Sequence, residues 1–408
     1  MIPLLLYIDP GTGSALFAII IGLAAAGFFS LRAIIIKAKS ILGRGKIKHD
    51  VKNKYIIYAE DKRYWSLFKQ ILDEFENQCI ELLYLTSSID DPVFQENYKF
   101  IQSEFIGTGN KAFARLNFLS ADFVLTTTPS LDVYQWKKAK TVKHYSHIVH
   151  SADEQCTYEL FGLDYFDSIL ITGKDFQVNM IRKLEENRNL PEKQIITVGS
   201  TYLDEYKLRM SVLPDDDDSK FTVLVSPSWG NASLLVKFGE NLIDPLSKTD
   251  WNIIIRPHPQ SLLSEKHIID NLINKYSENK NIKWDFERDN LFSLKKADIM
   301  ISDFSGIILD FMFLRNKPVF YVKEKLDLRS REAYQLYNDQ DEMWIFKKLE
   351  KAGIELLPDK FSELPELIKN ASRDPSFVSA IEEIKSEAWH FQGQAAKRVA
   401  DFMIQACQ

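Results

Sequence analysis

The chain has 408 residues, of which 45% are hydrophobic and 26% charged, with a net charge of −6. That length exceeds one ordinary compact core, so two domains plus an appendage are expected, and nothing in the composition resembles a long disordered chain. The acidic balance excludes an extended basic footprint for nucleic acid, which rests on clustered Lys and Arg.

The first fifty residues stand apart. Ser14 to Leu31 carries no charge, and Ala33 to Ile36 extends the apolar run past Arg32. A bilayer core takes roughly 20 apolar residues of helix, so residues 1–50 are expected to form a membrane anchor with one transmembrane helix. Asp9 precedes the run, whereas Arg32, Lys37, Lys39, Arg44, Lys46 and Lys48 follow it. Positive charge on that side predicts a single-pass protein of the cell membrane with its catalytic part in the cytoplasm. A cleavable signal peptide would place Lys or Arg before the run, and a buried amphipathic helix would show a polar stripe; neither is present.

From Lys54 short apolar runs alternate with amphipathic stretches, which implies parallel βαβ construction. Tyr55–Ala59, Ile80–Thr86, Phe123–Thr128, Lys143–His150 and Ser168–Gly173 read as strands, with helices over Tyr64–Asn77 and Phe176–Glu186. The acidic run Asp215–Asp218 after Pro214 reads as a solvated linker. A second series follows: Phe221–Ser228, Trp251–Pro259, Ala297–Ser302 and Pro318–Val322. The expected organisation is an acceptor-side α/β domain over 51–213, a nucleotide-donor α/β domain over 214–374, and a helical tail over 375–408 packing back on the first. The fold class is α/β, two doubly wound Rossmann-like domains facing a cleft, with ligands at the carboxyl ends of the strands.

Three constellations carry chemistry. In Trp251–Ser261 an apolar strand runs directly into Arg256-Pro257-His258-Pro259, where two prolines stiffen the turn and aim the imidazole. There Arg256 and His258 offer donors to a phosphate, and an imidazolium would stabilise charge on a leaving group. The plain alternative is a loop histidine without a task. In Ala297–Val322 a strand, a tight polar turn and an apolar helix place Ser302, Asp303, Ser305 and Gly306 where free backbone N–H groups seat a phosphate. Asp310 interrupts that apolar helix, and a buried carboxyl needs a partner such as a ribose hydroxyl or His258. Helix capping by Ser302 and Asp303 is the competing account.

The third constellation is His144, His147 and His150. Their spacing is wrong for a helical zinc pair, and no metal site is expected. On a strand, alternation sends His144 and His150 to one face and His147 to the other. His150, at the strand end, is the general-base candidate, with the other two left open. The widely spaced Cys79, Cys156 and Cys407 lack any CxxC pattern and read as free thiols in a reducing compartment.

Ser226–Leu235 (SPSWGNASLL), Ile253–Pro259 (IIIRPHP) and Ser302–Pro318 (SDFSGIILDFMFLRNKP), in this order and spacing, resemble the CDP-glycerol glycerophosphotransferases of teichoic acid synthesis. Val198–Asp204 (VGSTYLD) resembles the end of the first half in that family and in related two-domain glycosyltransferases. The resemblance covers roughly Lys143 to Tyr321. It implies a GT-B-like fold and transfer of glycerol phosphate, or a similar polyol phosphate, from a CDP-linked donor to a hydroxyl of a lipid-linked or polymer acceptor. It implies that His258 contacts the donor's phosphates and that Ser305, Gly306 and Asp310 line the donor site; Ser226, Ser228, Arg256, Ser302 and Asp303 are expected to bind the donor beside them. His150 and His258 become the catalytic pair. No cofactor is implied beyond a loosely held Mg²⁺ on the diphosphate, and the partners are the donor, the acceptor and the membrane. The family's first-domain base usually sits in a Trp-His-Gly turn, whereas this chain reads His147-Ile148-Val149-His150-Ser151; Gly230 stands where the family often has Arg. A glycosyltransferase using a nucleotide sugar and a non-catalytic membrane-tethered binding protein remain the alternatives.

Overall fold

The structure is a computed structural model, and it describes residues 53–214, 220–287, 289–303 and 305–408. The expected anchor and the Asp215–Asp218 linker lie outside the described residues. Among those described, no helix is long and apolar enough to cross a membrane.

Two parallel sheets organise the chain. The first contains β1 (Asn53–Ala59), β2 (Leu82–Thr86), β3 (Ile101–Phe105), β4 (Ser120–Thr126), β5 (Thr141–Ile148), β6 (Ser168–Ile171) and β7 (Gln194–Thr197), in the order β3-β2-β1-β4-β5-β6-β7. The second contains β8 (Thr222–Val225), β9 (Asn252–Ile255), β10 (Ile282–Trp284), β11 (Ile299–Ser302), β12 (Val319–Tyr321) and β13 (Gly353–Glu355), in the order β10-β9-β8-β11-β12-β13. This pair of parallel α/β sheets is consistent with a GT-B-like fold. In each the strand order reverses once, between β1 and β4 and between β8 and β11, and such switch points open crevices at the strands' carboxyl ends.

The central strands are buried on both faces, which is why they read as continuous apolar runs. Ile56, Ile57, Val124 and Leu125 are fully inaccessible, as are Val223, Leu224, Ile299 and Ile301. The helix Trp65–Asn77 turns Leu67, Phe68, Ile71, Leu72 and Phe75 onto one face of the first sheet at helical spacing. Each such side chain contributes about 1.5–3 kcal/mol on full burial. Four strands were not anticipated: β3, β7, β10 and β13 are short and lie at the sheet edges, where side chains partly meet water.

The tail forms two helices, not one continuous piece. Ser376–Ala388 sends Ile381, Ile384 and Ala388 into a core shared with Ile308 and Met312, whereas Ala395–Gln405 packs Val399, Ala400 and Met403 against Phe68, Phe75 and Phe123 of the first half. The turn between them is clasped by Asp204, which accepts from Trp389 Nε1 at 3.1 Å, Gly393 N at 2.8 Å and Ala395 N at 3.2 Å. Gly199 makes the approach possible. Its φ is 95°, and a Cβ there would stand 2.4 Å from the carbonyl oxygen of His390. The VGSTYLD segment is thus a clasp for the tail.

A second return runs through residues 326–343. Ala333, Leu336 and Met343 enter a core with Val149, Cys156, Ile169 and Met180. Buried Glu332 pairs with Arg188 and accepts from Gly162 N at 2.8 Å.

Candidate active site

The loops after β1, β5, β8, β9 and β11 meet around two adjoining cavities. The larger, about 700 Å³, is lined by Lys62, Arg63 and Tyr202 from one half and by Ser226, Arg256, His258 and Ser305 from the other. The smaller, about 360 Å³, is lined by Tyr64, His150, Asp153, Gly306 and Asp310. Arg63 and Tyr202 line both.

His258 is held by backbone. Its Nδ1 accepts the Gln260 N–H at 3.1 Å, so the neutral ring carries its proton on Nε2. Burial, reinforced by the nearby Arg63 cation and opposed by Glu265, pushes its pKa down. The ring lies beside Trp229, with centroids 6.3 Å apart and planes at 29°. Arg256 lines the same cavity, yet its guanidinium is committed to Asp285 Oδ2 at 2.7 Å and the Glu287 carbonyl at 2.6 Å. Burial alone would raise Asp285; hydrogen bonds from Ser293, the Glu287 N–H and Arg256 instead hold its carboxyl below the usual range. Arg256 therefore supplies a braced wall, with its charge neutralised in place.

At the start of the helix Ile307–Arg315, Gly306 takes the capping position with no side-chain cap bond, and space around its missing Cβ is open. Ser305 faces the larger cavity and Gly306 the smaller, so the helix begins where the two meet. Its amino end presents backbone donors and the positive end of the helix dipole. Ser302 and Asp303 lie beneath this surface. The Ser302 hydroxyl donates to the Ser226 carbonyl at 2.6 Å, and Asp303, 1% exposed, accepts from Ser228 N at 2.9 Å and Leu234 N at 3.0 Å. Asp303 and Ser228 thus hold the turn that carries Trp229, and neither lines the cavities. Burial pushes the Asp303 carboxyl up, against the pull of those N–H donors.

Asp310 faces neither His258 nor a capping role. Its carboxylate accepts from the Tyr202 hydroxyl at 3.1 Å, and burial pushes it up to about 7. Among the expected residues, Ser226, Arg256, His258 and Ser305 therefore share the larger cavity; His150, Gly306 and Asp310 share the smaller.

The three histidines after β4 separate sharply. His144 is bonded to Ser168 Oγ at 2.8 Å and stacked on Phe123 at 4.7 Å, away from both cavities. His147 is fully buried, and that burial pushes its pKa down to about 3. His150 lies past the last residue of β5, so the strict alternation expected along the strand stops two residues short of it. Its Nδ1 is 3.2 Å from Thr127 Oγ1 and 3.1 Å from Tyr158 Oη, and the same Tyr158 hydroxyl is 3.2 Å from His147 Nε2. Burial, aided by Arg63 and opposed by Asp153, lowers the His150 pKa.

Sequence reasoning missed Arg63, Tyr158 and Tyr202. A signal for Arg63 existed: it follows β1 at a switch point, as Ser226 follows β8. Among the described residues, no group of three or more His, Cys, Asp or Glu side chains is arranged to hold a metal ion. Cys79, Cys156 and Cys407 form no disulfide among the described residues.

Known proteins frame this geometry. No curated protein sequence matches the chain significantly. Among solved structures, the wall teichoic acid polymerase TagF superposes with a TM-score of 0.57 at 13% identity, over 92% of this chain and 97% of that one. A TagF variant soaked with CDPG gives 0.57 at 15% identity, over 95% and 96%. UDP-GlcNAc 2-epimerase from Neisseria meningitidis, bound to UDP-GlcNAc, gives 0.55 at 12%, over 86% and 100%. At such identities these likenesses establish the fold alone. The sequence profile of CDP-glycerol:poly(glycerophosphate) glycerophosphotransferases matches residues 165–404, more than half of the chain. It spans the Pro-flanked His258 turn, the Ser305 helix start and the tail clasp, and the chain belongs to that family.

Proposed function

We propose that the larger cavity binds CDP-glycerol and that the smaller receives a hydroxyl of a lipid-linked or polymeric glycerol-phosphate acceptor. The observation that carries this reading is the convergence of the His258 ring and the helix start at Ser305 on one cavity, which adjoins the cavity of His150. A diphosphate seated there meets the Nε2–H of His258 and the free backbone N–H groups of the helix amino end, donors suited to a dianionic group.

In the transfer, His150 Nε2 takes the acceptor's proton while its Nδ1–H donates to the hydroxyl of Thr127 or Tyr158. The acceptor oxygen forms a bond to the donor's β-phosphorus, and the bond from that phosphorus to the bridging oxygen breaks. The electron pair leaves with CMP, whose new charge is met by His258 and the helix start. Burial lowers the His150 pKa, which favours the unprotonated ring that a base requires. The setting of this chemistry rests on sequence: the apolar run Ser14–Leu31 and the basic residues after it favour work at the inner face of the cell membrane, where a lipid-linked acceptor is presented.

The test uses the full chain in vesicles carrying a synthetic lipid-linked glycerol-phosphate primer. Addition of CDP-glycerol is expected to release CMP and lengthen the primer, with UDP-GlcNAc inert. Release of UDP in place of CMP, or no transfer from either donor, would sink the proposal.

A further inference from the structure

Four of the cations that line the larger cavity are each matched by a nearby carboxylate. Lys62 pairs with Asp90, Lys69 with Asp73 at 2.7 Å, Arg209 with Asp289, and Arg256 with Asp285 at 2.7 Å. Arg63 differs. Its single carboxylate neighbour within 4 Å among the described residues is Asp61, 3.9 Å from Nε, and its side chain is 68% exposed.

The backbone beneath Arg63 is nevertheless fixed. Asp61 caps the short turn Lys62–Tyr64 that follows β1, accepting the Arg63 N–H at 2.8 Å. The guanidinium rests over the Tyr64 ring, 5.1 Å from its centroid, and that ring in turn lies 5.4 Å from the ring of His150. Arg63 is thus rooted at a switch point of the first sheet, carries a weakly compensated charge, and lines both cavities.

We infer that Arg63 is a catalytic residue of the transfer step, its guanidinium engaging the phosphoryl group in transit between the donor in the larger cavity and the acceptor in the smaller. This rests on the transfer reading above and deepens it. A phosphoryl group in flight spreads negative charge over its non-bridging oxygens, and a planar fork of donors matches two of them at once. Arg63 exchanges no atom. The acceptor's proton still goes to His150 and the electron pair of the broken P–O bond still leaves with CMP. Its position also accounts for its electrostatic reach, since its charge lowers the pKa values of both His150 and His258.

Arg63→Met and Arg63→Lys are compared with the unsubstituted full chain in primed vesicles, measuring CMP release, CDP-glycerol affinity and the pH–rate profile. Arg63→Met is expected to lower kcat at least about 100-fold with donor Kd within about threefold, since the interaction belongs to the transition state. Its acid limb should move to higher pH, because removing a cation lets the histidines bind protons more readily. Arg63→Lys should recover at least about tenfold over Arg63→Met, which a collapsed fold would not permit. A kcat within about threefold of the unsubstituted chain, or a loss confined to donor KM, overturns the assignment. An unsubstituted chain that releases no CMP overturns the transfer reading and this inference with it, whereas a releasing chain indifferent to Arg63 overturns this inference alone.

Discussion

His258 and His150 face neighbouring cavities but are held by opposite kinds of partner. The Nδ1 of His258 meets a backbone N–H, which can only donate, so that nitrogen is locked as an acceptor and Nε2 as a donor. The Nδ1 of His150 meets the hydroxyls of Thr127 and Tyr158, which can donate or accept. A ring whose partners can reverse roles can take up a proton on Nε2 and later release it; a ring whose partner cannot is suited to standing donation. Within the proposed transfer, the contrast supports His150 as base and His258 as electrophile by partner chemistry, without appeal to which histidine is more exposed.

Amide substitutions test that contrast most severely. Glutamine can donate a hydrogen bond but cannot take up a proton, so His150→Gln should lower kcat about 10³-fold, whereas His258→Gln should lose only about tenfold. Equal losses, measured as CMP release under donor saturation, would erase the distinction. A smaller effect is expected beneath the rigid side. Asp303→Ala leaves the N–H groups of Ser228 and Leu234 unsatisfied, which costs about 2 kcal/mol in urea unfolding after relief of the carboxylate's own burial. It should also weaken donor binding by loosening the Trp229 turn. The finest test concerns the adaptable side. Tyr158→Phe removes a partner that accepts from the imidazolium, so the already lowered His150 pKa should fall further and the acid limb of the pH–rate profile should move to lower pH, with kcat down about fivefold. An unmoved limb would leave Thr127 as the partner that matters.

The central strands and the His258 turn were readable because long apolar runs and paired prolines each permit few structures. The edge strands were not. Gln194–Thr197 and Gly353–Glu355 are too short to display a period, and they exist because a neighbouring strand offers its free edge. Among site residues, those on the strand-to-helix turn of the second sheet could be placed, but not which of them face outward. Ser302 and Asp303 sit in the same polar turn as Ser305, and only the packing of the Ser226–Leu234 loop above them decides that they point inward. Arg63 lies in Asp61-Lys62-Arg63, a charge run that reads as ordinary solvated surface until its place after β1, at the switch point, is weighed. Tyr158 was hidden because its two histidine partners converge on it through a loop whose path no local pattern specifies.

The way Ala395–Gln405 lies on the first sheet has a consequence for biosynthesis. Val399, Ala400 and Met403 complete a core whose other members, Tyr55, Phe68 and Phe123 among them, leave the ribosome long before the tail is made. A domain ordinarily matures as soon as it emerges, but here the part of that sheet face left open beside Trp65–Asn77 stays uncovered until translation has passed the entire second sheet. The nascent first half must therefore wait, with apolar surface exposed, for its last helix.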